Sequence, residues 1–280
     1  MLHCETRGRA DAGATPLVLL HGFGGSAAAW RLPATRMATE RAVLAFDLPG
    51  HGGSLSGGVG GAGSMARAVA SDLQERGIRR FHLAGHSMGG AVAALLALRR
   101  PEGVASLTLL APGGFGTSIN GAALRRYAFA EDAAEMGEAL RSMCGWGHEL
   151  DDRQVQAVLE ARRLPGARAV LAGILDVILA DPEGRTQGVL PVAELGRLPM
   201  PVQVLWGTAD PILPAAQADD LPPNVAVRRL PGAGHMLVEE CPEEVIQTLR
   251  DIMAAADQIR PAAFAAISSR EAVEEGPTTT

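Results

Sequence analysis

"LAGHSMGGAVAALLAL", residues 83–98, places one hydroxyl, Ser87, between Gly85 and Gly89 in an otherwise apolar run. Buried apolar runs exclude a hydroxyl that lacks a partner, so this serine needs a reason. The residues before it, 80–84, read as a buried strand, and 88–100 carry a helical pattern. A sharp turn at Ser87 must join the two. A side chain on such a turn sits in strained backbone and projects from the end of the sheet. Side chains at 85 and 89 would collide with the neighbouring helix and strand, so both positions call for glycine. The pattern Gly-x-Ser-x-Gly alone is weak in a chain with 34 glycines. The strand–turn–helix setting gives it weight, and the expectation is a Ser87 exposed at a site. The plain alternative is a helix N-cap serine beside packing glycines.

Working outward, "PLVLLHG" (16–22), "AVLAFDLPG" (42–50), "RFHLAG" (80–85), "SLTLLAPGG" (106–114), "PVQVLWG" (201–207) and "VAVRRLPG" (225–232) are short apolar runs ending in turn residues. Most are continuously apolar, as strands of a parallel sheet are when both faces are covered. Helical patterns at 64–77, 88–100 and 242–256 lie between them. This alternation predicts an α/β fold with a mostly parallel sheet flanked by helices. Chemistry in such sheets sits beyond the carboxyl ends of the strands. Residues 115–195 break the rhythm with helical patterns and no strand signal, which predicts a helical cap inserted between two strands. The expected division is a core of 1–114 and 196–260, a cap of 115–195 and a tail of 261–280. Residues 52–64 read as a Gly/Ser loop and 271–280 as a disordered end.

A serine hydroxyl is a weak nucleophile at neutral pH and needs a base held by a third group. His235, in "LPGAGHMLVEECPEEV", follows the last strand in a Gly-rich loop suited to presenting an imidazole. Asp210, in "VLWGTADPILP", follows the preceding strand and could hold that imidazole in one tautomer. The alternatives are an Asx turn at Asp210 ahead of Pro211 and a packing role for His235. Oxyanion donors are expected from "HGFGG" (21–25) and the first turn of the helix after Ser87. The backbone N–H groups of Phe23 and Met88 form the natural pair.

The 280 residues suit one domain with an inserted cap, and the formal charge is −6. No basic stripe favours nucleic acid as a partner, and no apolar run suits a membrane span. All 25 basic residues are arginine, which removes P-loop, Schiff-base and lipoate- or biotin-bearing lysines within these residues. Cys4, Cys144 and Cys241 are too few and too scattered for a disulfide framework and read as incidental thiols. The seven histidines show no helical ligand spacing, so no metal and no cofactor is expected. The first sixteen residues lack the apolar stretch of a signal peptide, which predicts a cytoplasmic protein.

Together, "HGFGG", "FDLPGHGGS", "GHSMGG", "GTADPILP" and "GAGHMLVEECPEEV" resemble the successive motifs of α/β-hydrolase fold enzymes over roughly residues 16–256. The resemblance implies Ser87 as nucleophile, Asp210 as acid, His235 as base, and Phe23 and Met88 as oxyanion donors. Asp47 and His51 match a loop motif that is more often structural than catalytic. Glu240 and Pro242 match a segment that opens the last helix. The usual leading pair of antiparallel strands is shortened, with only "LHCET" before residue 16. "APGGFGTSINGAALRRY" and "ARRLPGARAVLAGI" resemble the hydrolase-like domain of acetoin dehydrogenase dihydrolipoyl acetyltransferases.

The expected activity is hydrolysis of a small-molecule acyl substrate, such as a carboxylic ester, through an acyl-enzyme. Acyl transfer to a lipoyl group, C–C bond hydrolysis and ligand binding without catalysis are the alternatives. His86, beside the nucleophile, sits too close on the turn to serve as its base. In the cap, Trp146 and Phe129 are the large aromatics, and Arg125, Arg126, Arg162 and Arg163 read as solvated helix faces. An Ala-, Leu- and Met-rich cap suits uncharged or weakly polar acyl groups.

Overall fold

The computed structural model describes residues 1–9, 14–145 and 148–271, with side chains through 258. Six parallel strands form where the sequence carries its continuous apolar runs. They are β2 (Leu17–Leu20), β3 (Val43–Phe46), β4 (Phe81–His86), β5 (Val104–Leu110), β6 (Val202–Gly207) and β7 (Ala226–Leu230). Strands β2 to β5 are buried at every residue, because helices cover both faces. One short strand, β1 (Cys4–Arg7), pairs antiparallel with β3, so the leading pair is reduced to one. The seven-stranded order is β1-β3-β2-β4-β5-β6-β7. β7 is an edge strand, and its arginines Arg228 and Arg229 fit that position.

Helix α1 (Arg31–Met37) packs with the C-terminal α9 (Pro242–Glu271), while α2 (Ala62–Glu75) packs with α3 (Met88–Arg99). α3 is buried along nearly its whole length, which explains a sequence apolar on all sides. α2 begins at Ala62, inside the stretch expected to be loop, after a 3-10 turn at Gly52–Gly57. α9 runs past the predicted 242–256 to Glu271, into the stretch expected to be tail; its Ala-rich sequence favours helix. Residues 272–280 lie outside the described residues, as does Trp146.

Between β5 and β6 the chain forms α4 (Gly121–Phe129), α5 (Ala133–Arg141), α6 (Asp152–Arg162) and α7 (Ala167–Ile178). Three of the four start on side-chain caps: Asn120, Asp132 and Asp151 accept from Ala123, Glu135 and Arg153 N–H. Their buried faces join the main core through Leu124, Met136, Leu159 and Leu171. Within 115–195 no described segment joins the main sheet; the extended contacts there are two isolated bridges, Ser118 with Thr186 and Leu179 with Gln187. A short α8 (Leu237–Glu240) precedes α9. Among the described residues, no helix is long and apolar enough to cross a membrane.

Candidate active site

Ser87 follows β4 and precedes α3 with φ 53° and ψ −118°. That conformation costs a non-glycine residue about 1–3 kcal/mol and persists only where its surroundings enforce it. Here the enforcement is backbone: Ser87 N–H donates to Leu110 O at 2.9 Å, and Ser87 O accepts from Gly113 N–H at 2.9 Å. A Cβ on Gly85 would strike the Gly89 carbonyl, and one on Gly89 would strike the carbonyls of Leu20 and His21. The turn closes only because both are glycine.

Ser87 Oγ–H donates to His235 Nε2 at 2.9 Å, and His235 Nδ1–H donates to Asp210 Oδ2 at 2.8 Å. Asp210 Oδ1 accepts from Ile212 and Leu213 N–H at 2.8 and 2.9 Å. The Asx turn and the partner of His235 are therefore one residue used from both oxygens. The His235 and Asp210 side chains are almost wholly buried, at 3% and 0% exposure. Ser87 itself is 9% exposed, which corrects the expectation of an exposed serine. Ser87 meets open space through a cavity of about 260 Å³, walled in part by Ile119, Leu124, Val177 and Ile178.

Phe23 and Met88 line that cavity with Ser87. Met88 opens α3, where first-turn N–H groups lack helical acceptors. Phe23 N–H shares a peptide with Gly22 O, which accepts from Gly25 N–H at 3.1 Å and His21 Nδ1–H at 2.7 Å. In a trans peptide the N–H points away from the C=O, so these bonds fix its direction. The cavity wall is otherwise apolar, including Ala91, Leu95, Ile119, Leu124, Ile178 and Leu213. Among the described residues Gln187 is its only other polar side chain, spent on Gly114 N–H and Gly116 O, both at 3.1 Å. No charged side chain lines it among the described residues.

The neighbouring histidines are structural. His86 Nε2–H donates to His235 O at 2.7 Å, and burial pushes its imidazole down to about 3. It props the loop that carries His235. His51 Nε2 accepts from Gly24 N–H at 3.0 Å, and burial lowers it to about 3 as well. Asp47 Oδ1 accepts from Ala27 N–H at 2.6 Å, while Oδ2 accepts from Gly53 N–H at 2.7 Å. Glu240 accepts from Gly145, Gly234 and Met236 N–H at 2.7 to 2.9 Å, pinning the His235 loop to the chain at Gly145.

Arg162 corrects the solvated-face reading given for the arginines of 115–195: it is 4% exposed, beneath the loop at 21–25, whereas Arg163 is exposed. A signal existed in the spacing. Val155, Leu159 and Arg162 share one buried stripe of α6, and Leu124 and Tyr127 share one of α4. Phe129 faces solvent at 46% exposure. Among the described residues, no three His, Cys, Asp or Glu side chains cluster closely enough to hold a metal ion. The three cysteines are free, and burial drives the Cys144 thiol up to about 12.

The sequence profile of the alpha/beta hydrolase family matches residues 17–248. The chain belongs to the alpha/beta hydrolase family. Among curated relatives it is similar to the dihydrolipoyllysine-residue acetyltransferase component of the acetoin cleaving system of Pseudomonas putida. They are 36% identical, covering 85% of this chain and 63% of the relative. The chain thus spans less than two thirds of that relative's length. The fold superposes on a carboxylesterase from Bacillus subtilis with TM-score 0.75 at 22% identity, covering 90% of this chain and 87% of the other. It also superposes on a meta-cleavage product hydrolase from Pseudomonas fluorescens with TM-score 0.77 at 19% identity, covering 90% and 94%. At these identities the two structures speak for the fold alone.

Proposed function

We propose that this alpha/beta hydrolase is a serine hydrolase that cleaves small, uncharged carboxylic esters through an acyl-enzyme on Ser87. The carrying observation is the unbroken relay Ser87–His235–Asp210, at 2.9 and 2.8 Å, opening on an apolar cavity. In this reading the core comprises 1–114 and 196–260, and 115–195 forms the cap over the site.

Ser87 Oγ attacks the ester carbonyl carbon while its proton passes to His235 Nε2. The carbonyl oxygen becomes an oxyanion facing the N–H groups of Phe23 and Met88. Collapse breaks the bond to the alcohol oxygen, which leaves with the proton from His235. Water then gives a proton to His235 as its oxygen adds to the acyl carbon. Ser87 Oγ departs and recovers the proton, leaving a carboxylic acid. Asp210 holds the imidazole with Nε2 as acceptor and stabilises the imidazolium.

The wall of the cavity selects the acyl group. A buried carboxylate without a partner is costly, and no charged side chain in the lining offers one. The volume, about 260 Å³, lies near the lower end of ligand pockets, about 300–1,000 Å³. Short neutral acyl chains fit both facts. Initial rates on p-nitrophenyl esters of rising chain length test this reading. Turnover of short neutral esters is expected, with an ω-carboxylate analogue strongly disfavoured. No turnover of any ester, or preference for the charged analogue, would contradict it.

The likeness to the acetoin-system component supports a second reading, acyl transfer to a lipoyl thiol. The acyl-enzyme is common to both; the acceptor decides. Water is always present, whereas a thiol acceptor must be bound ahead of it. With dihydrolipoamide added, free acid is expected to remain the main product. Acyl-dihydrolipoamide forming faster than free acid at modest acceptor concentration would favour transfer.

A further inference from the structure

Arg162 is a buried cation whose Nε and Nη2 have no hydrogen-bond partner among the described residues. Burying a charge on such terms is expensive, so what it gains is informative. Its guanidinium lies over the Tyr127 ring, 4.8 Å from the centroid. Its Nη1 donates to the Gly24 carbonyl at 2.9 Å, and Tyr127 O–H donates to the same oxygen at 3.2 Å. Two cap helices, α6 and α4, thus converge on one carbonyl of the loop at 21–25.

Gly24 is clamped from the other side as well, since its N–H donates to His51 Nε2. It holds φ +68°, and a Cβ there would strike Arg162 Nη2 and Tyr127 Cε1. The Phe23 ring stands edge-on between the Tyr127 and His51 rings, at 6.4 and 6.3 Å. Both peptides flanking Gly24 are therefore fixed by side chains, directly after the peptide that carries Phe23 N–H.

We propose that Arg162 and Tyr127 are positioning residues: by holding the Gly24 carbonyl they let the cap aim Phe23 N–H at the developing oxyanion. The proposal rests on the acyl-enzyme reading above. Its consequence is that the oxyanion site is complete only with the cap in place. A cap lifted from the core withdraws both donors from Gly24 at once.

The test compares wild type, Tyr127→Phe, Arg162→Met and the double variant. Two ligands are used: a short alkyl trifluoromethyl ketone, whose adduct with Ser87 carries an oxyanion, and the matching secondary alcohol, which carries none. Outright removal of an oxyanion donor costs about 10²–10³ in kcat. The double variant misaims a donor that remains, so a loss on the order of tenfold is expected, with KM little changed. Ketone affinity should fall by the same factor, and alcohol affinity should hold. Tyr127→Phe removes one oxygen and no packing volume, so it should show a smaller loss of the same pattern. Arg168→Gln, which alters only an exposed pair with Glu131, should match wild type.

Wild-type kcat and ketone affinity in Tyr127→Phe and the double variant would overturn the proposal. So would equal losses for ketone and alcohol, which would reduce the pair to cap packing. If Arg162→Met does not fold, the split between the two ligands in Tyr127→Phe decides. Failure of the underlying reading looks different: the ketone would then not bind wild type through Ser87 at all.

Discussion

Among the described residues, Ser87 and Ala111 are the two non-glycine residues with positive φ, at 53° and 39°. They end adjacent strands, and the bonds from Ser87 N–H to Leu110 O and from Gly113 N–H to Ser87 O tie the two turns together. Gly89→Ala should spring this pair, because the new methyl meets backbone that cannot yield. Loss of Ser87 reactivity with a lowered Tm is expected; a normally reactive variant would refute the account of the elbow. Asp210 allows its two roles to be separated. Asp210→Asn keeps an acceptor for Ile212 and Leu213 N–H but turns an amide toward His235, favouring the wrong tautomer. A loss of about 10⁴ in kcat is expected, with Tm nearly unchanged by thermal melt. Glu239 Oε2 is buried with no hydrogen-bond partner among the described residues, and burial pushes its carboxyl up to about 8. The folded state therefore holds a proton that the unfolded chain releases near 4.5, so the Glu239 contribution to stability should fall as pH rises between those values, unopposed by the histidines above about 6.5. Glu239→Gln should flatten that fall in melts from pH 5 to 9; an unchanged slope would remove Glu239 as its source.

At the scale of elements, the site is a meeting of four chain segments, and each was legible to a different degree. The strand runs, the turn at Ser87 and the loops holding Asp210 and His235 could be read directly, because continuous burial leaves unbroken apolar runs. At β1 only the shortening of the leading strands could be read, because half-buried "CETR" at an edge has no such run, and α1 left no clear signal because "RLPATRM" is short and contains a proline. The segment 115–195 could be read as helical, yet the burial of Arg162 depends on which face of α6 meets the core. Adjacent arginines carry the same propensity, so only the stripe with Val155 and Leu159 tells Arg162 from Arg163. The tie between residues 143–145 and the His235 loop also leaves no mark in the sequence: His235 N–H donates to Met143 O at 2.8 Å, and Glu240 spans Gly145 and Gly234. Glu240→Ala leaves three N–H groups without that acceptor, at about 1–3 kcal/mol each where buried. A clear drop in Tm with slower turnover is expected; a variant with wild-type melt and rate would show the tie to be idle.

For the whole molecule, buried histidines set the acid limit. Burial lowers His21, His51, His82 and His86 from 6.5, to about 3 for His51 and His86 and about 4 for His82. The unfolded chain binds protons that the fold refuses, so stability should fall as pH drops below about 6.5, at up to about 1.4 kcal/mol per unit for each imidazole. Denaturant titrations from pH 7 to 5 should show that decline; a flat profile would contradict it. The same molecule shows why residue types alone do not make a site. His82 stands 2.8 Å from Ser106 Oγ and 3.4 Å from Asp257, at the other end of β4. Ser106 is 1% exposed and does not line the cavity of about 260 Å³ on which Ser87 opens. That contrast makes the most direct test of the central claim a peptide mass spectrum of the protein after complete inhibition by an organophosphate. The account predicts one phosphoryl adduct per chain, on Ser87. Full inhibition with Ser87 unmodified would contradict it.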